Sequence, residues 1–296
     1  MRLVTFNILN GRSTADGRVD VARFARAIRL LDPDVLGLQE VDLAQERSMH
    51  ADLTAVAAEA MGASDHRFVA ALSGTPGATW TAATGVEQPE SAAYGIALLS
   101  RYPVRRWHVA RLPQAPGRVP VLFRGPVRLG LVRDEPRVAV YAVLDSPYGP
   151  MTVATTHVSF LRGWNIVQLR RAMSPLRAAV SPRVLMGDLN MGPRSAAMVT
   201  GMKPAVSDLT FPAHAPTRQL DHVLLDRLPE NATGHAREVD LSDHRALVVD
   251  LAGTVHRRGA TAPHRRTESQ AGPATASRSR SRKRPAMPFP RVTPKA

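Results

Sequence analysis

The sequence predicts an α/β sandwich with two central sheets. Two observations carry that expectation. Short apolar segments with strand patterning alternate with segments of helical period, and tight hairpins mix with helical crossovers along one chain. "RLVTFNI" reads as the first strand. Val21, Phe24, Ala25, Ile28 and Leu31 then recur at helical spacing, and Asp32-Pro33 ends that helix. "DVLGLQ" is the next strand, residues 50–61 the next helix, and "YGIALLS" a strand. "RVAVYAVLDSPYGPMTVATTHVSF" is a hairpin turning at Ser146–Pro150. Residues 163–180 suit a helix, and "RVLMG", "LDHVLL" and "HRALVVDL" supply three more strands. Residues 73–92 and 113–135, rich in Gly, Pro and Thr, read as long surface loops.

Composition narrows the function. The chain of 296 residues contains no cysteine, which excludes disulfides, thiolate metal sites and cysteine nucleophiles. No stretch approaches the roughly 20 apolar residues of a spanning helix, and "MRLVTFNILNGR" lacks the pattern of a signal peptide. A soluble, cytoplasmic monomer without membrane insertion is expected. The net charge is +14, but nine Arg and two Lys against Glu268 place ten of those charges from His256 onward. That Arg/Pro/Ser-rich stretch cannot bury enough surface to offset chain entropy. The expected organisation is therefore one catalytic domain over residues 1–255 and a disordered basic tail over 256–296. "SRSRSRKR" in the tail suits phosphate backbones without sequence preference, or simply a solvated tail.

The chemistry is read from strand ends. "VLMGDLNMGP" runs from a buried strand into Asp188 and Asn190, followed by Gly192-Pro193. Turn formation alone explains those residue types. The same peculiarity, however, recurs at Asn7 in "RLVTFNI", Glu40 in "DVLGLQEVD", His157 in "MTVATTHVSF", Asp221 in "RQLDHVLL" and Asp243-His244 in "VDLSDHRALVVDL". Carboxylates gathered at strand ends are costly unless paired or bound to a cation. Oxygen donors without sulfur suit Mg²⁺, with Mn²⁺ as a substitute, better than zinc. Two imidazoles beside such a site suit proton transfer and stabilisation of charge on phosphorus. The residues thus point to metal-assisted hydrolysis of a phosphate ester.

In this order, "TFNI", "LGLQEVD", "TTHVSF", "GDLN", "LDHVLL" and "SDH" resemble the endonuclease/exonuclease/phosphatase superfamily over roughly residues 1–252. The resemblance implies a four-layer α/β sandwich, with two mixed sheets flanked by helices. It implies Glu40 as principal metal ligand, with Asn7 and Asp243 beside it. Asp188 would orient or deprotonate the attacking water, and Asn190 would bind that water or a phosphate oxygen. His244 would contact the scissile phosphate, with Asp221 fixing its tautomer. His157 would be a second phosphate-binding or leaving-group imidazole. Ile96 departs from the Asn common in the family's Gly-Asn-Ala segment, and Glu87 and Glu90 are the nearby candidates for an acidic partner of His157. Val41 and Asp42 follow Glu40 where abasic-site enzymes carry Lys, which favours the deoxyribonuclease, sphingomyelinase and general phosphodiesterase branches.

The expected partner is a phosphate-ester substrate, DNA first, because Arg-rich loops such as "RYPVRRWHVAR" and "LFRGPVRLGLVR" could line a phosphate groove. Only three of the 39 basic residues are Lys, so such segments are also ordinary surface for this chain. A small or lipid phosphate is the alternative substrate, and a non-catalytic binding module on the same fold a remote one.

Overall fold

A computed structural model describes residues 1–88, 91–122, 129–228 and 231–252. The basic tail expected from His256 lies outside the described residues, as do Glu90 and part of "LFRGPVRLGLVR". In chain order the elements are β1 Arg2–Asn7, α1 Val21–Leu31, β2 Val35–Leu43, α2 Leu53–Met61, β3 Asp65–Gly74, β4 Trp80–Ala82, β5 Ala93–Ser100 and β6 Val104–Leu112. There follow β7 Arg118–Leu122, β8 Leu129–Arg133, β9 Arg137–Ser146, β10 Gly149–His157, α3 Trp164–Ala178, β11 Arg183–Asp188 and α4 Pro193–Thr200. The last are β12 Lys203–Pro204, β13 Asp221–Asp226, β14 Ala232–Arg237 and β15 Ala246–Leu251. One sheet runs β14-β15-β1-β2-β5-β3-β4, and the other β12-β13-β11-β10-β9-β6. Strands β7 and β8 form a separate hairpin.

Three cores weld four layers. Leu3, Val35, Leu98, Val140, Val153, Met186 and Val249 meet between the two sheets. Val4, Phe6, Leu36 and Val248 pack against Phe24, Ile28 and Leu31 of α1 and Leu53 and Ala57 of α2. Ala154, Leu185 and Leu224 pack against Leu169 and Leu176 of α3 and Ala196 of α4. Each fully buried Val, Leu or Phe contributes about 1.5–3 kcal/mol. Helix α1 begins where the Asp20 side chain accepts from the Arg23 amide, and it ends at left-handed Asp32. Among the described residues, no helix is long and apolar enough to cross a membrane.

Two expectations about loops need correction. "RYPVRRWHVAR" is mostly β6, the edge strand of the second sheet. Its alternation is hidden because the arginines fall on the exposed positions of an edge. The stretch 113–135 holds the β7–β8 hairpin, and 73–92 holds β4.

The period of two in each strand positions the site. On β1, Val4 and Phe6 face the helices, while Leu3, Thr5 and Asn7 face the other sheet. On β11, Val184 and Met186 lie in the inter-sheet core and Asp188 extends that row. His157 pairs with Asp188 across β10–β11, and Asp188 with Asp221 across β11–β13, so three polar residues form one cross-strand row. The seam between the sheets thus runs from aliphatic to polar. Gln39 Nε2 donates to Thr5 Oγ1 and across the seam to Thr155 Oγ1, each at 3.1 Å, at the changeover.

Gly187 precedes Asp188 with φ of 142°, and a Cβ there would stand 1.9 Å from the Thr156 carbonyl oxygen. Gly187→Ala should therefore part β10 from β11 directly beneath the site. The expected cost is about 3 kcal/mol or more, a fall in Tm of roughly 6–12 °C. Thermal unfolding checks this, and an unchanged Tm would mean the strands accommodate the methyl group.

Candidate active site

The polar end of the seam opens into a cleft of about 610 Å³ lined by Glu40, His157, Asp188, Asn190 and His244. Glu40 reaches it through a backbone irregularity. Leu36 and Leu38 of β2 face the helices, and strict alternation would send Glu40 after them into hydrocarbon. Instead the register against β5 shifts between Gln39 and Val41, and Glu40 takes a left-handed φ of 57°. Val41 recovers the helix-facing position, and Glu40 Oε1 accepts from Asn7 Nδ2 at 2.9 Å. The same Asn7 amide donates to Asp188 Oδ2 at 3.2 Å, so one NH₂ group bridges carboxylates from the two sheets.

Asp188 is fixed on both oxygens. Its Oδ1 accepts from the Asn190 amide nitrogen at 2.9 Å, closing an Asx turn, while Asn190 sits at φ of 47°. The turn suggested by residue types is therefore present, and it aims side chains. The Asn190 Nδ2 group donates to the Val158 carbonyl at 3.0 Å and stands 3.3 Å from His157 Nε2. Asp188 Oδ2 lies 3.5 Å from His157 Nε2 and 3.8 Å from His244 Nε2. Burial, and next the Asp221 charge, push the Asp188 carboxyl up to about 7.

His244 Nδ1 donates to Asp221 Oδ2 at 2.8 Å. Burial disfavours the imidazolium, but the Asp221 charge and hydrogen bond, with Asp188 and Asp243, outweigh it and raise His244 to about 10. Asp221 is fully buried and its Oδ1 has no hydrogen-bond partner. Half-buried Asp243 adjoins His244, and its charge adds to the burial that raises Glu40. Ser242 fastens this loop, donating from Oγ to the Asn7 carbonyl at 2.6 Å and accepting from the His244 amide at 3.1 Å.

All eight residues singled out at strand ends therefore gather at one end of the seam. Three participants escaped sequence reasoning. Ser242 stands in "SDH", where only Asp243 and His244 carry an expected role. Thr210, whose Oγ1 accepts from the Leu220 and Asp221 amides, lies in a segment without periodicity. Arg137 was read only as the start of a strand, yet its Nη1 lies 3.1 Å from His157 Nδ1. Among the described residues, the neighbour of His157 Nδ1 is therefore an arginine, and of the two candidate acids Glu90 lies outside the described residues. Glu87 instead caps its own turn, accepting from the Thr84 hydroxyl at 2.8 Å and the Gly85 amide at 2.9 Å.

The donor set suits a hard divalent cation. The carboxylate oxygens of Glu40, Asp188 and Asp221 outnumber the hydrogens offered to them, one of these oxygens is orphaned, and every potential ligand is oxygen or imidazole nitrogen. Asp188, Asp221 and His244 offer ligand atoms within 4.8 Å of one another. The cleft rim is basic, with Arg12 and Arg218 exposed and Arg47 paired to Asp42 at 2.7 Å.

The model of the endonuclease/exonuclease/phosphatase family matches residues 4–244. The chain belongs to this family. Solved structures carry the same fold at low identity. An endonuclease/exonuclease/phosphatase from Beutenbergia cavernae is 23% identical, with TM-score 0.55, over 86% of this chain and 72% of that one. Sphingomyelinase C from Streptomyces griseocarneus is 18% identical, with TM-score 0.57, over 84% and 98%. A mannosyl-6-phosphatase from Bacteroides thetaiotaomicron is 15% identical, with TM-score 0.56, over 86% and 100%. No curated protein matches the chain. As a family member it is a phosphoesterase, and the candidate site is assembled from both sheets of the sandwich.

Proposed function

We propose that the protein is a divalent-metal-dependent phosphodiesterase that cleaves DNA by in-line attack of water. The observation that carries this reading is the opposition, in one cleft, of the His244–Asp221 pair and the Asp188–Asn190 turn. Glu40, Asn7 and Asp243 would hold Mg²⁺, or Mn²⁺ in its place. The ion would supply Lewis-acid charge to the phosphoryl oxygens.

The chain's own residues divide the remaining work. Asp188, raised to about 7, has the proton affinity of a base for water near neutral pH. Asn190 holds that water or a phosphoryl oxygen with its amide. His244, kept protonated by Asp221, donates a charge-assisted hydrogen bond from Nε2 to the phosphoryl oxygen that gains charge. His157 contacts the phosphate from the other side. Arg12 and Arg218 on the rim offer contacts to flanking phosphates, which supports a polymeric substrate. The cysteine-free composition supports a cytoplasmic setting.

A small or lipid phosphate ester, diester or monoester, is the second reading. The names of the sphingomyelinase and mannosyl-6-phosphatase on this fold favour it, as does exposed Phe160 at the cleft mouth. Supercoiled plasmid and bis-p-nitrophenyl phosphate, each with Mg²⁺, Mn²⁺ or EDTA, separate the two. Nicking that EDTA abolishes is the expected result. Cleavage of the small diester without nicking would move the substrate to small or lipid phosphates.

A further inference from the structure

We propose that Arg137 is the positioning residue that holds His157 as its Nε2–H tautomer, so that this ring meets the substrate phosphate as a neutral hydrogen-bond donor. The inference rests on the phosphodiesterase reading of the cleft for its substrate. Its structural half stands on the protein alone.

A guanidinium carries five donors and no acceptor. With Arg137 Nη1 3.1 Å from His157 Nδ1, the imidazole nitrogen must accept. The ring's single proton is then on Nε2, the nitrogen that faces Asp188 Oδ2 at 3.5 Å. Asn190 Nδ2 also approaches Nε2, at 3.3 Å, with one of its two hydrogens given to the Val158 carbonyl; a neutral ring accepts at one nitrogen only, and the shorter, charged contact from Arg137 claims Nδ1. A second ring proton would set N–H against N–H at Nδ1. Burial, then the charges of Arg137 and His244, hold His157 well below the ordinary histidine range.

The arginine is anchored for this task. It opens β9 opposite Leu112 of β6, and its Nη2 lies 3.3 Å from Glu135. It is 93% buried, yet its Nε has no hydrogen-bond partner. A guanidinium left partly unsatisfied in the interior is a costly way to fill space. Its position against His157, in the wall of the cleft, gives that cost a purpose. The two histidines then differ in kind. At Nδ1, His244 faces an acid and carries a charge, whereas His157 faces a cation and carries none. His157 can orient a phosphoryl oxygen, but it is not the proton source for the leaving group.

The test begins with the wild-type protein, labelled with ¹⁵N at histidine. Long-range proton–nitrogen spectra report which ring nitrogen is protonated, and His157→Gln identifies the signals. The expected pattern at neutral pH, with and without Mg²⁺, is a neutral ring protonated at Nε2. A proton on Nδ1, or on both nitrogens, would overturn the proposal. Arg137→Lys should keep the tautomer and most of the turnover. Arg137→Met should mix the tautomers and lower kcat on bis-p-nitrophenyl phosphate by about 10- to 100-fold, with KM within about twofold. Wild-type kcat in folded Arg137→Met would also overturn it. If Arg137→Met does not fold, the wild-type spectrum and Arg137→Lys still decide. If the wild type hydrolyses no phosphate ester, the phosphodiesterase reading fails, while the spectrum still judges the tautomer.

Discussion

His244→Ala is expected to lower turnover by about 10²–10⁴-fold while leaving Mg²⁺ affinity within about threefold of wild type. The activity loss follows from removing the charged donor that Asp221 maintains. The retained affinity follows from the same hydrogen bond, because a protonated imidazole has no lone pair for a metal. Steady-state kinetics and calorimetric titration with Mg²⁺ read the two effects separately. Turnover at the wild-type level would remove His244 from the chemistry. Lost affinity would instead place the ion among Asp188, Asp221 and His244, whose ligand atoms are close enough to share it. Asp221→Asn should cost less than His244→Ala. The amide oxygen can still accept from Nδ1 and orient the ring, although the charge is gone.

Glu40→Ala should abolish metal-dependent turnover and weaken Mg²⁺ binding by at least about 10²-fold. Glu40 is the carboxylate that the register shift in β2 delivers to the cleft, and it shares its Asn7 hydrogen-bond donor with Asp188. A ligand that binds only the folded state raises Tm. Added Mg²⁺ should therefore raise the Tm of the wild type and leave that of Glu40→Ala unmoved. An equal rise in both would show that the ion is held elsewhere. The metal-free variant should be no less stable than the metal-free wild type, since burial already disfavours the Glu40 carboxylate.

Much of this site was legible because strands alternate. Asn7, His157, Asp188 and Asp221 each continue an apolar inter-sheet row, and their periodicity is plain in the sequence. Even the placement of Glu40 had a signal. In "LGLQEVDL" the apolar positions 36 and 38 are followed by 41 and 43, a break in the period of two where the chain bulges. Arg137 was not legible, since nothing local distinguishes a strand's first arginine from any other. Its meaning comes from the antiparallel pairing of β9 with β10, which brings residues 137 and 157 together. Strands β3 and β14 were also missed. Both lie at or next to a sheet edge, and β14 in particular, "ATGHAR", has no buried residue and no large apolar side chain to mark an alternation.

The changeover along the seam makes the aliphatic core a spacer gauge. Glu40 and Asn7 ride on one sheet, and His157, Asp188 and Asp221 on the other. The gap between the two halves of the candidate site is therefore set by the thickness of a hydrocarbon layer several residues away. Gly37 marks how finely the gauge is cut, because a Cβ there would stand 2.7 Å from Thr155 Oγ1 across the seam. A side chain one carbon larger at that point acts as a shim. It would change the reach between the two halves of the candidate site without touching any of the eight residues gathered there.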